Sequence, residues 1–320
     1  MRLQLLENAV RVADRIGHVC HWRYWTSPPS VTVGEAKAAL RIREIGPADL
    51  NNVIDLLTIG YHRYRDRSYW INAIQRLTAH ETPTGVPKYG HVLERNGTLV
   101  GVILVIFSSQ TINGVEHLRC NGSSLYVIPA FSGYGALLVK RALQRKDVTY
   151  LNLTPARHTL DMLEVQGYNR FSNGVFVALP ALSPATDLRI RPVETAADLD
   201  ARLEPFEAKL LLAHVGFGCI SVLCEKDGQI YPFVFALRRK YGIPIAHLVY
   251  SRDQQNFVCF AGALGRFLRR YGYRVVILDA NGDIPELTGQ YFAMRPKFAM
   301  GPEQMRLGDL CYTERVMFGY

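Results

Sequence analysis

The alternation of apolar and polar positions that begins at residue 40 returns near residue 188. LRIREIGPADL at 40–50 and LRIRPVETAADL at 188–199 share the same order of residue types. In both segments the alternation predicts a strand, and the Ala-Asp-Leu that follows a turn is typical of the start of a helix. The chain therefore contains an internal repeat, and we expect the second copy to have the fold of the first.

Paired apolar segments follow each copy of this opening. The first is HVLERNGTLVGVILVIF at 91–107, which turns at an Asn-Gly pair, and the second is SVLCEKDGQIYPFVFAL at 221–237, which turns at an Asp-Gly pair. Such pairs accept the positive φ angles that a type I′ turn requires at both central residues. Each segment is therefore predicted to form a β-hairpin.

Each copy continues with a strand, a helix and a second strand. The helices have apolar residues at helical spacing, whereas the strands after them are almost continuously apolar, which is typical of strands buried on both faces. These elements are predicted at 123–129, 134–145 and 147–155 in the first copy and at 245–251, 260–272 and 273–281 in the second. The order predicts an α/β protein with two tandem domains, each a mixed central sheet flanked by helices.

Residues 178–187, ALPALSPATD, join the two copies. Two prolines and several small residues are typical of a linker. We therefore expect a first domain over 40–180 and a second, divergent domain over 188–320. Residues 1–39 match neither copy, and the helical spacing near their start predicts an N-terminal helical extension that packs on the first domain.

The composition indicates well-packed cores and limits the classes of partner. Of the 320 residues, 48% are hydrophobic and 20% are charged, without an apolar run long enough to span a membrane or the apolar start of a signal peptide. We therefore expect a cytoplasmic protein with no membrane partner. The six cysteines form no CxxC pair, so neither a zinc site nor a disulfide framework is indicated and no metal is expected.

An excess of basic residues favours an anionic partner. Lys and Arg number 37 against 28 Asp and Glu, which gives a formal charge of +9. The basic residues are scattered, and the one cluster, YHRYRDRSYW at 61–70, is short. A solvated surface is therefore favoured over a nucleic-acid groove. A phosphorylated cofactor also suits this charge.

A loop with two glycines lies between the strand and the helix of the first copy. The segment LYVIPAFSGYGALLVKRAL at 125–143 contains Gly133 and Gly135 directly before the helix. Glycine lets a backbone approach a ligand closely, and the first amides of a helix lack internal partners and lie at the positive end of its dipole. The loop is therefore suited to a pyrophosphate.

This loop resembles the cofactor loop of the GNAT superfamily of N-acetyltransferases, which follows a Val-x-Pro strand end with the pattern Arg/Gln-x-x-Gly-x-Gly/Ala. Val127 begins the matching strand end, and Gly135 occupies the position of the required glycine. Ser132 and Leu137 depart from the pattern, since a basic or amide residue and a small residue are usual there. The order of elements over 40–180 is also similar to that of the family.

The resemblance implies that the first domain binds acetyl-CoA or another acyl-CoA as co-substrate. The pantetheine arm would lie between two strands that splay apart, held by backbone groups of Tyr126 and Ile128. Asn152 would either lie at the acetyl end or satisfy a strand edge. The residues implied in cofactor binding are Tyr126, Val127, Ile128, Ser132, Gly133, Tyr134, Gly135, Ala136 and Asn152.

The chemistry that the resemblance implies is direct attack of an amine on the thioester, which needs a base and an acid. The family's usual acid position is Leu163 here, and no glutamate lies on the strand before the loop. The imidazole of His158 could act as base or acid, or belong to a helix-start surface residue. The substitutes that topology allows are His158, Ser124 and Tyr168, with Glu94 and Glu164 as further candidates.

The second copy departs further from the pattern. Its loop, SRDQQNFVCFAG, has Arg252, Asp253 and Gln254 and no glycine before Gly262. We therefore expect this domain to be structural or to shape the acceptor pocket. The acidic segment LDANGDIPELTG at 278–289 lacks the last glutamate of an EF-hand and follows a buried strand, so a strand-end loop is favoured over a metal site.

Three functions remain open at this stage. The leading hypothesis is transfer of an acetyl or other acyl group from coenzyme A to an amine of a small-molecule acceptor, in a tandem layout similar to that of the mycothiol synthases. The basic and aromatic segments near the expected pocket would suit an acidic acceptor. A long-chain N-acyl amino acid synthase, with Phe131, Tyr134 and Leu137 lining an acyl channel, is an alternative. A non-catalytic binding or interaction protein is the third, because the usual acid and base are missing.

Overall fold

The first copy of the repeat folds in the order that its apolar pattern predicts. The computed structural model describes residues 40–112, 114–155, 159–240 and 242–319, and the predicted N-terminal extension at 1–39 lies outside these ranges. The strands of the first copy are β1 (Leu40–Glu44), β2 (Gly90–Arg95), β3 (Thr98–Ile112), β4 (Val115–Val127), β5 (Val148–Asn152), β6 (Asn169–Ser172) and β7 (Gly174–Ala178). Its helices are α1 (Leu50–Tyr61), α2 (Arg67–Ala79), α3 (Gly135–Ala142) and α4 (Leu160–Val165).

The second copy repeats most of this order. Its strands are β8 (Arg189–Val193), β9 (Ile220–Lys226), β10 (Gln229–Lys240), β11 (Ile243–Ser251), β12 (Val275–Ala280), β13 (Gly289–Phe292) and β14 (Lys297–Met300). Its helices are α5 (Pro205–Gly216), α6 (Gln254–Arg270) and α7 (Glu314–Met317).

Both predicted hairpins are confirmed, and their turns have the expected backbone. The φ angles are 47° and 80° at Asn96 and Gly97, and 50° and 75° at Asp227 and Gly228. Positive values at both central residues match the right-handed twist of the flanking strands. These turns join β2 to β3 and β9 to β10 in antiparallel register.

The described strands form two mixed sheets of seven strands each. The first has the order β1-β2-β3-β4-β5-β14-β6 and the second β13-β7-β12-β11-β10-β9-β8. β4 and β5 are parallel in the first sheet, as are β11 and β12 in the second, while the other pairs are antiparallel. The predicted arrangement of two mixed sheets flanked by helices is therefore confirmed.

Each sheet takes one strand from the other copy, which the sequence pattern did not predict. β14 lies between β5 and β6, with Phe298 opposite Asn152. β7 lies between β12 and β13, with Val177 opposite Ile277. Each sheet thus contains residues from both sides of the boundary that we assigned at 180–188. That boundary remains a prediction from the sequence pattern.

Two glycines of α6 allow the segment between the copies to pack directly on this helix. A Cβ atom at Gly262 would lie 1.9 Å from the carbonyl oxygen of Pro184, and one at Gly265 would lie 2.2 Å from the amide nitrogen of Ala181. Any larger side chain would overlap backbone atoms. The linker is therefore closely packed against the second sheet's main helix.

Apolar cores lie on both sides of the two sheets. One core between the first sheet and α3 contains Leu138 and Tyr150, and another lies between the second sheet and α6. A core shared by both halves packs α1 and α2 against α5 and the C-terminal residues, and it buries Leu57, Leu211 and Met317. Most of the C-terminal segment, residues 303–319, thus lies in the interior between the halves, with residues 308–313 and 315–318 buried.

The parallel strands of the first sheet separate part-way along. Pairing of β4 with β5 runs from Leu118 opposite Val148 to Asn121 opposite Leu151, but β4 continues to Val127. An extra residue interrupts the β3–β4 register at this point, and Ser124 there has a φ of 53°. Such a bulge bends a strand. We call the space between the diverging strands the first gap.

The second sheet has the same feature, and there the C-terminal segment fills it. Pairing of β11 with β12 ends at His247 opposite Ile277, and the β10–β11 register shifts beyond that point. In this second gap the amide of Ser251 donates to the carbonyl of Gly308 at 2.9 Å, and the amide of Leu310 donates to the carbonyl of Val249 at 2.8 Å. The second gap is therefore closed by the chain itself.

Candidate active site

The edge of β4 that faces the first gap presents the backbone of Val127. The amide of Ile128 donates to the carbonyl of Val100 on β3, and the carbonyl of Ile128 accepts from the amide of Phe131. Backbone groups of successive strand residues point to opposite edges, so Tyr126 also faces β3 whereas Val127 faces the gap. This corrects the expectation that backbone groups of Tyr126 and Ile128 face the arm.

The predicted cofactor loop is a 3₁₀-helix, Pro129–Tyr134, that runs directly into α3. The amide of Gly135 donates to the carbonyl of Ser132, so a pyrophosphate would compete for this amide. The guanidinium of Arg95 lies 5.1 Å from the centre of the Phe131 ring. A basic group that the sequence pattern did not reveal therefore lies beside the loop, whose own Ser132 is uncharged.

Neither glycine of the loop is required by the fold. A Cβ atom would meet nothing within 4 Å at Gly133 and only Val127, at 3.8 Å, at Gly135. Gly135 has an ordinary helical φ of −57°. Glycine at these positions is consistent with close approach of a ligand. Gly133 is exposed, as are Tyr134, Ala136 and Leu137 beside the two glycines.

Asn152 and Tyr168 lie on the side of the first sheet that α3 covers. Asn152 is half-buried and alternates along β5 with Leu151, which faces the core shared by the halves. Tyr168 is buried beside Cys120 and Tyr150 in the α3 core, where burial raises its pKa. A phenol in this position is surrounded by apolar groups and closely packed. Leu163, at the family's acid position, is buried in the same core.

The opposite side of β4 carries a row of polar side chains that bind the C-terminal segment. Arg119 donates to both carboxylate oxygens of Glu303 and, at 3.0 Å, to Asp309. The side-chain oxygen of Asn121 accepts from the amide of Glu314 at 2.7 Å. These residues and Ser123 alternate along the strand and so share one face.

Glu314 lies where β4 and β5 diverge, and its carboxylate joins the two strands. Ser123 on β4 donates to Oε2 and Thr154, just beyond β5, donates to Oε1, each at 2.5 Å. The hydroxyls of Ser123 and Ser124 are 2.8 Å apart. Asn121 donates to the carbonyl of Leu151 at 3.2 Å, which ties the last paired residues together. The predicted relay residue Ser124 is thus in this group, whereas sequence reasoning missed Glu314.

The other candidates are placed elsewhere or lie outside the described residues. His158 falls between the described ranges 114–155 and 159–240. Glu94 accepts from Arg43 at 2.7 Å, and Glu164 accepts from Arg170 at 2.7 Å. Both carboxylates are therefore held in ion pairs away from the Glu314 cluster. The roles proposed for His158, Ser124 and Tyr168 remain predictions.

The loop of the second copy is occupied by contacts within the protein. Arg252 donates to the buried carboxylate of Glu207 at 2.7 Å and 2.5 Å. Asp253 caps α6 by accepting from the amide of Gln255, and Gln254 donates to the carbonyl of Asp279 on β12. These side chains and the C-terminal segment together leave the second gap without an open edge among the described residues.

Within the described ranges, no group of three or more His, Cys, Asp or Glu side chains is arranged to hold a metal ion. The acidic segment at 278–289 contributes Asp279, whose carboxylate accepts from the buried ammonium of Lys297. No helix in the same ranges is long and apolar enough to cross a membrane.

Comparison with known proteins places the fold. No protein-family profile and no curated protein matches the sequence. Many solved structures match. Among them is a GCN5-related N-acetyltransferase from Anabaena variabilis, at 12% identity and a TM-score of 0.56, with 82% of this chain and 72% of that chain covered. A Pyrococcus horikoshii protein provisionally described as an acetyltransferase matches at 12% identity and a TM-score of 0.53, with 92% of this chain and 97% of that chain covered. A GCN5-related N-acetyltransferase from Kribbella flavida matches at 14% identity and a TM-score of 0.50, with 82% of this chain and 70% of that chain covered. At these identities the likeness establishes the fold alone: it is the GNAT fold that the resemblance implied, in the two tandem copies that the repeat predicted.

Proposed function

We propose that this protein transfers an acyl group from coenzyme A to an amine of a small-molecule acceptor, and that the acyl-CoA lies in the first gap. The proposal combines the fold with the geometry of one strand edge. GNAT-fold neighbours are described as acetyltransferases, which makes an acyl-CoA the first ligand to test. The cytoplasmic location that the sequence suggests agrees with such a donor.

The contrast between the two gaps carries this proposal. Tyr126 lies opposite Val102 just after the first bulge, and Tyr250 lies opposite Val234 just after the second register shift. Val127 in the first half therefore corresponds to Ser251 in the second. The amide of Ser251 binds an extended segment of the chain, whereas Val127, which lies opposite Gly101 of β3, has no such segment hydrogen-bonded to its backbone among the described residues.

The occupant of the second gap indicates what would fit the first. Gly308 and Leu310 present a carbonyl and an amide to the edge of β11. A pantetheine arm is also an extended chain with amide groups, so it could make the same kind of bonds to Val127. The glycines at 133 and 135, which the fold does not require, would leave room for the pyrophosphate at the end of the gap.

Thermal unfolding with and without acetyl-CoA tests the proposal. A ligand that binds only the folded protein raises its stability by about 2.7 kcal/mol at about a hundred times Kd. We expect a clear rise for the wild type and none for Gly135→Leu. Gly282→Leu is the matched control, because a Cβ atom at Gly282 meets nothing within 4 Å, one at Gly135 meets only Val127 at 3.8 Å, and Gly282 lies in the second half. It should retain the full response.

The same unfolding measurement, together with an assay of coenzyme A release, separates the alternatives. A larger response to long-chain acyl-CoA than to acetyl-CoA would favour a long-chain N-acyltransferase. Binding of acyl-CoA without coenzyme A release over a broad amine panel, with acidic amines included, would favour a non-catalytic protein. No response of the wild type to any acyl-CoA would overturn the proposed function.

A further inference from the structure

The C-terminal segment reaches both gaps, and one of its residues differs from its neighbours in exposure to solvent. From Gly308 to Phe318 every residue is buried except Glu314, which is half-buried. Its neighbours Thr313 and Arg315 are 0% and 4% exposed. Glu314 is thus the one part-exposed residue in a stretch that otherwise belongs to the interior.

The position of Glu314 relative to the first gap is fixed from several directions. Asn121, the last β4 residue paired with β5, accepts from its amide, and Ser123 and Thr154 donate to its two carboxylate oxygens. Arg119 holds the preceding part of the segment through Glu303 and Asp309. The carboxylate is therefore positioned by β4 rather than by the four-residue helix α7 alone.

The side of the sheet matters for the chemistry. Glu314 lies with Arg119, Asn121 and Ser123 on the side of β4 that faces the core between the halves, whereas Cys120 and the helix α3 lie on the other side. An acyl-CoA whose pyrophosphate is at the start of α3 would approach the gap from the α3 side. An acceptor would then reach the thioester from the side of Glu314.

We propose that Glu314, supplied by the C-terminal segment of the second copy, is the general base of the first copy's site. This rests on the proposed function. The carboxylate takes one proton from the ammonium of the acceptor, and the free amine forms a C–N bond to the thioester carbonyl carbon. As the C–S bond breaks, the sulfur of coenzyme A leaves as a thiolate and takes the second proton that the nitrogen loses. The products are an amide, coenzyme A and one proton, which passes from Glu314 to solvent.

This assignment also fits the part of β4 beside the gap, which has no carboxylate of its own, since the strand's glutamate, Glu116, lies at its far end. The positions that face the acceptor side carry Asn121 and Ser123, which are hydrogen-bonding partners for a carboxylate from elsewhere. The segment that fills the second gap at Gly308–Leu310 continues directly to Glu314. The second copy thus supplies a group to the first site while its own gap is closed.

The test compares wild type, Glu314→Gln, Glu314→Ala and the control Glu116→Gln, which changes an exposed glutamate at the far end of the same strand. Calorimetric titration with acetyl-CoA measures binding. Release of the coenzyme A thiol, detected with a disulfide dye, measures transfer to an amine panel and to water.

A positioned base contributes about 10²–10⁴-fold to the rate. We therefore expect E314Q to lose at least about 100-fold in kcat/KM while it binds acetyl-CoA with a Kd within about threefold of wild type. E116Q should match wild type.

Two further comparisons can refute the proposal even if a variant is less stable than wild type. Added formate should restore part of the rate of E314A, because it can replace the missing carboxylate, and it should not affect E116Q. If wild type and E314Q bind acetyl-CoA and release thiol at equal rates, including no release by either, Glu314 is not the base. If the wild type does not bind acetyl-CoA, the proposed function itself has failed.

Discussion

Replacing Arg119 with methionine would remove the cation that fixes the C-terminal segment to β4. The side chain of Arg119 is 4% exposed, and its partners Glu303 and Asp309 are 11% and 2% exposed. Methionine would fill much of the space of the arginine stem but leave Glu303 without this counter-charge and Asp309 with only Arg306, at 3.5 Å. Removing one partner of a buried ion pair costs about 3–5 kcal/mol, and we expect R119M to lose about this much free energy of unfolding near neutral pH.

The loss should depend on pH in a defined direction. Burial alone would raise the pKa of Asp309, but attraction to Arg119 and Arg306 and the hydrogen bonds to the carboxylate together outweigh burial and hold the pKa below its usual value. Without Arg119 the effect of burial is opposed mainly by Arg306, so the folded-state pKa of Asp309 should be higher in R119M than in wild type. The folded variant then binds the extra proton, and its deficit relative to wild type should shrink on acidification and grow as the pH rises.

Urea unfolding followed by circular dichroism, at mildly acidic and neutral pH, measures this deficit. Arg202→Met is the matched control, since Arg202 also binds two carboxylates, Asp200 and Glu225, but is 45% exposed. Exposed ion pairs contribute little because water screens them. A deficit of R119M no larger than that of R202M, or one that is the same at both pH values, would refute the reasoning. Adding Asp309→Asn to R119M should recover part of the loss.

The remaining predictions concern packing, protonation and accessibility. Gly265→Ala would place a Cβ atom 2.2 Å from the amide nitrogen of Ala181 and should cost about 1–3 kcal/mol in urea unfolding. Burial lowers the pKa of His214 to about 4; because the unfolded value is about 6.5, stability should fall by up to about 1.4 kcal/mol per pH unit as the pH is lowered through this interval, and His214→Gln should flatten the slope. Alkylation of the native protein, followed by peptide mapping, should modify exposed Cys259 before the buried Cys120, Cys224 and Cys311.

Each of these predictions has a control within the chain. Gly282→Ala should be nearly neutral, because its Cβ atom meets nothing within 4 Å, and a Gly265→Ala protein that is equally stable would contradict the close packing of the linker. If the stability of the His214→Gln protein decreases as steeply at acidic pH as that of wild type, groups other than His214 cause the decrease. Alkylation of Cys120 as early as Cys259 would show that the α3 core opens under native conditions.

The repeated elements of the fold could be predicted because their signals are local. Three kinds of signal depend only on neighbouring residues. They are the turns at Asn96 and Asp227, the apolar periodicity of α3 and α6, and the almost continuously apolar strands β5 and β12. Most of β3 was also predicted, but only residues 123–127 of β4 were, because both strands extend further toward their shared turn. The fold class follows from the order of these elements.

The exchange of β7 and β14 could not be predicted from such signals. GVFVA at 174–178 and KFAM at 297–300 are short apolar segments, and their pattern indicates a strand without indicating its partner. β14 pairs with β5, although the two strands are far apart in the sequence. The choice of partner depends on how the two sheets approach each other, which no local pattern records.

The candidate site was only partly predictable for the same reason. The loop at 129–135 was found because its glycines are local, whereas the partner of Ser123 is 191 residues away in sequence. One signal was present: Arg119, Asn121 and Ser123 place polar groups at every second position of a strand otherwise rich in apolar residues. Buried polar groups need hydrogen-bonding partners, so this pattern indicates that something polar covers the strand, but not that Glu314 does.

The two gaps are best understood together, because one stretch of chain determines the state of both. Gly308 has a φ of 76°, and a Cβ atom there would lie 2.7 Å from the hydroxyl of Ser251, so the segment can lie against β11 only with glycine at this position. The residues that follow run from the second gap to Asn121 at the start of the first. A second copy that bound its own ligand in this gap would displace Gly308–Leu310 and with them the anchor of Glu314. On this geometry, closure of the second gap and completion of the first site are a single structural event.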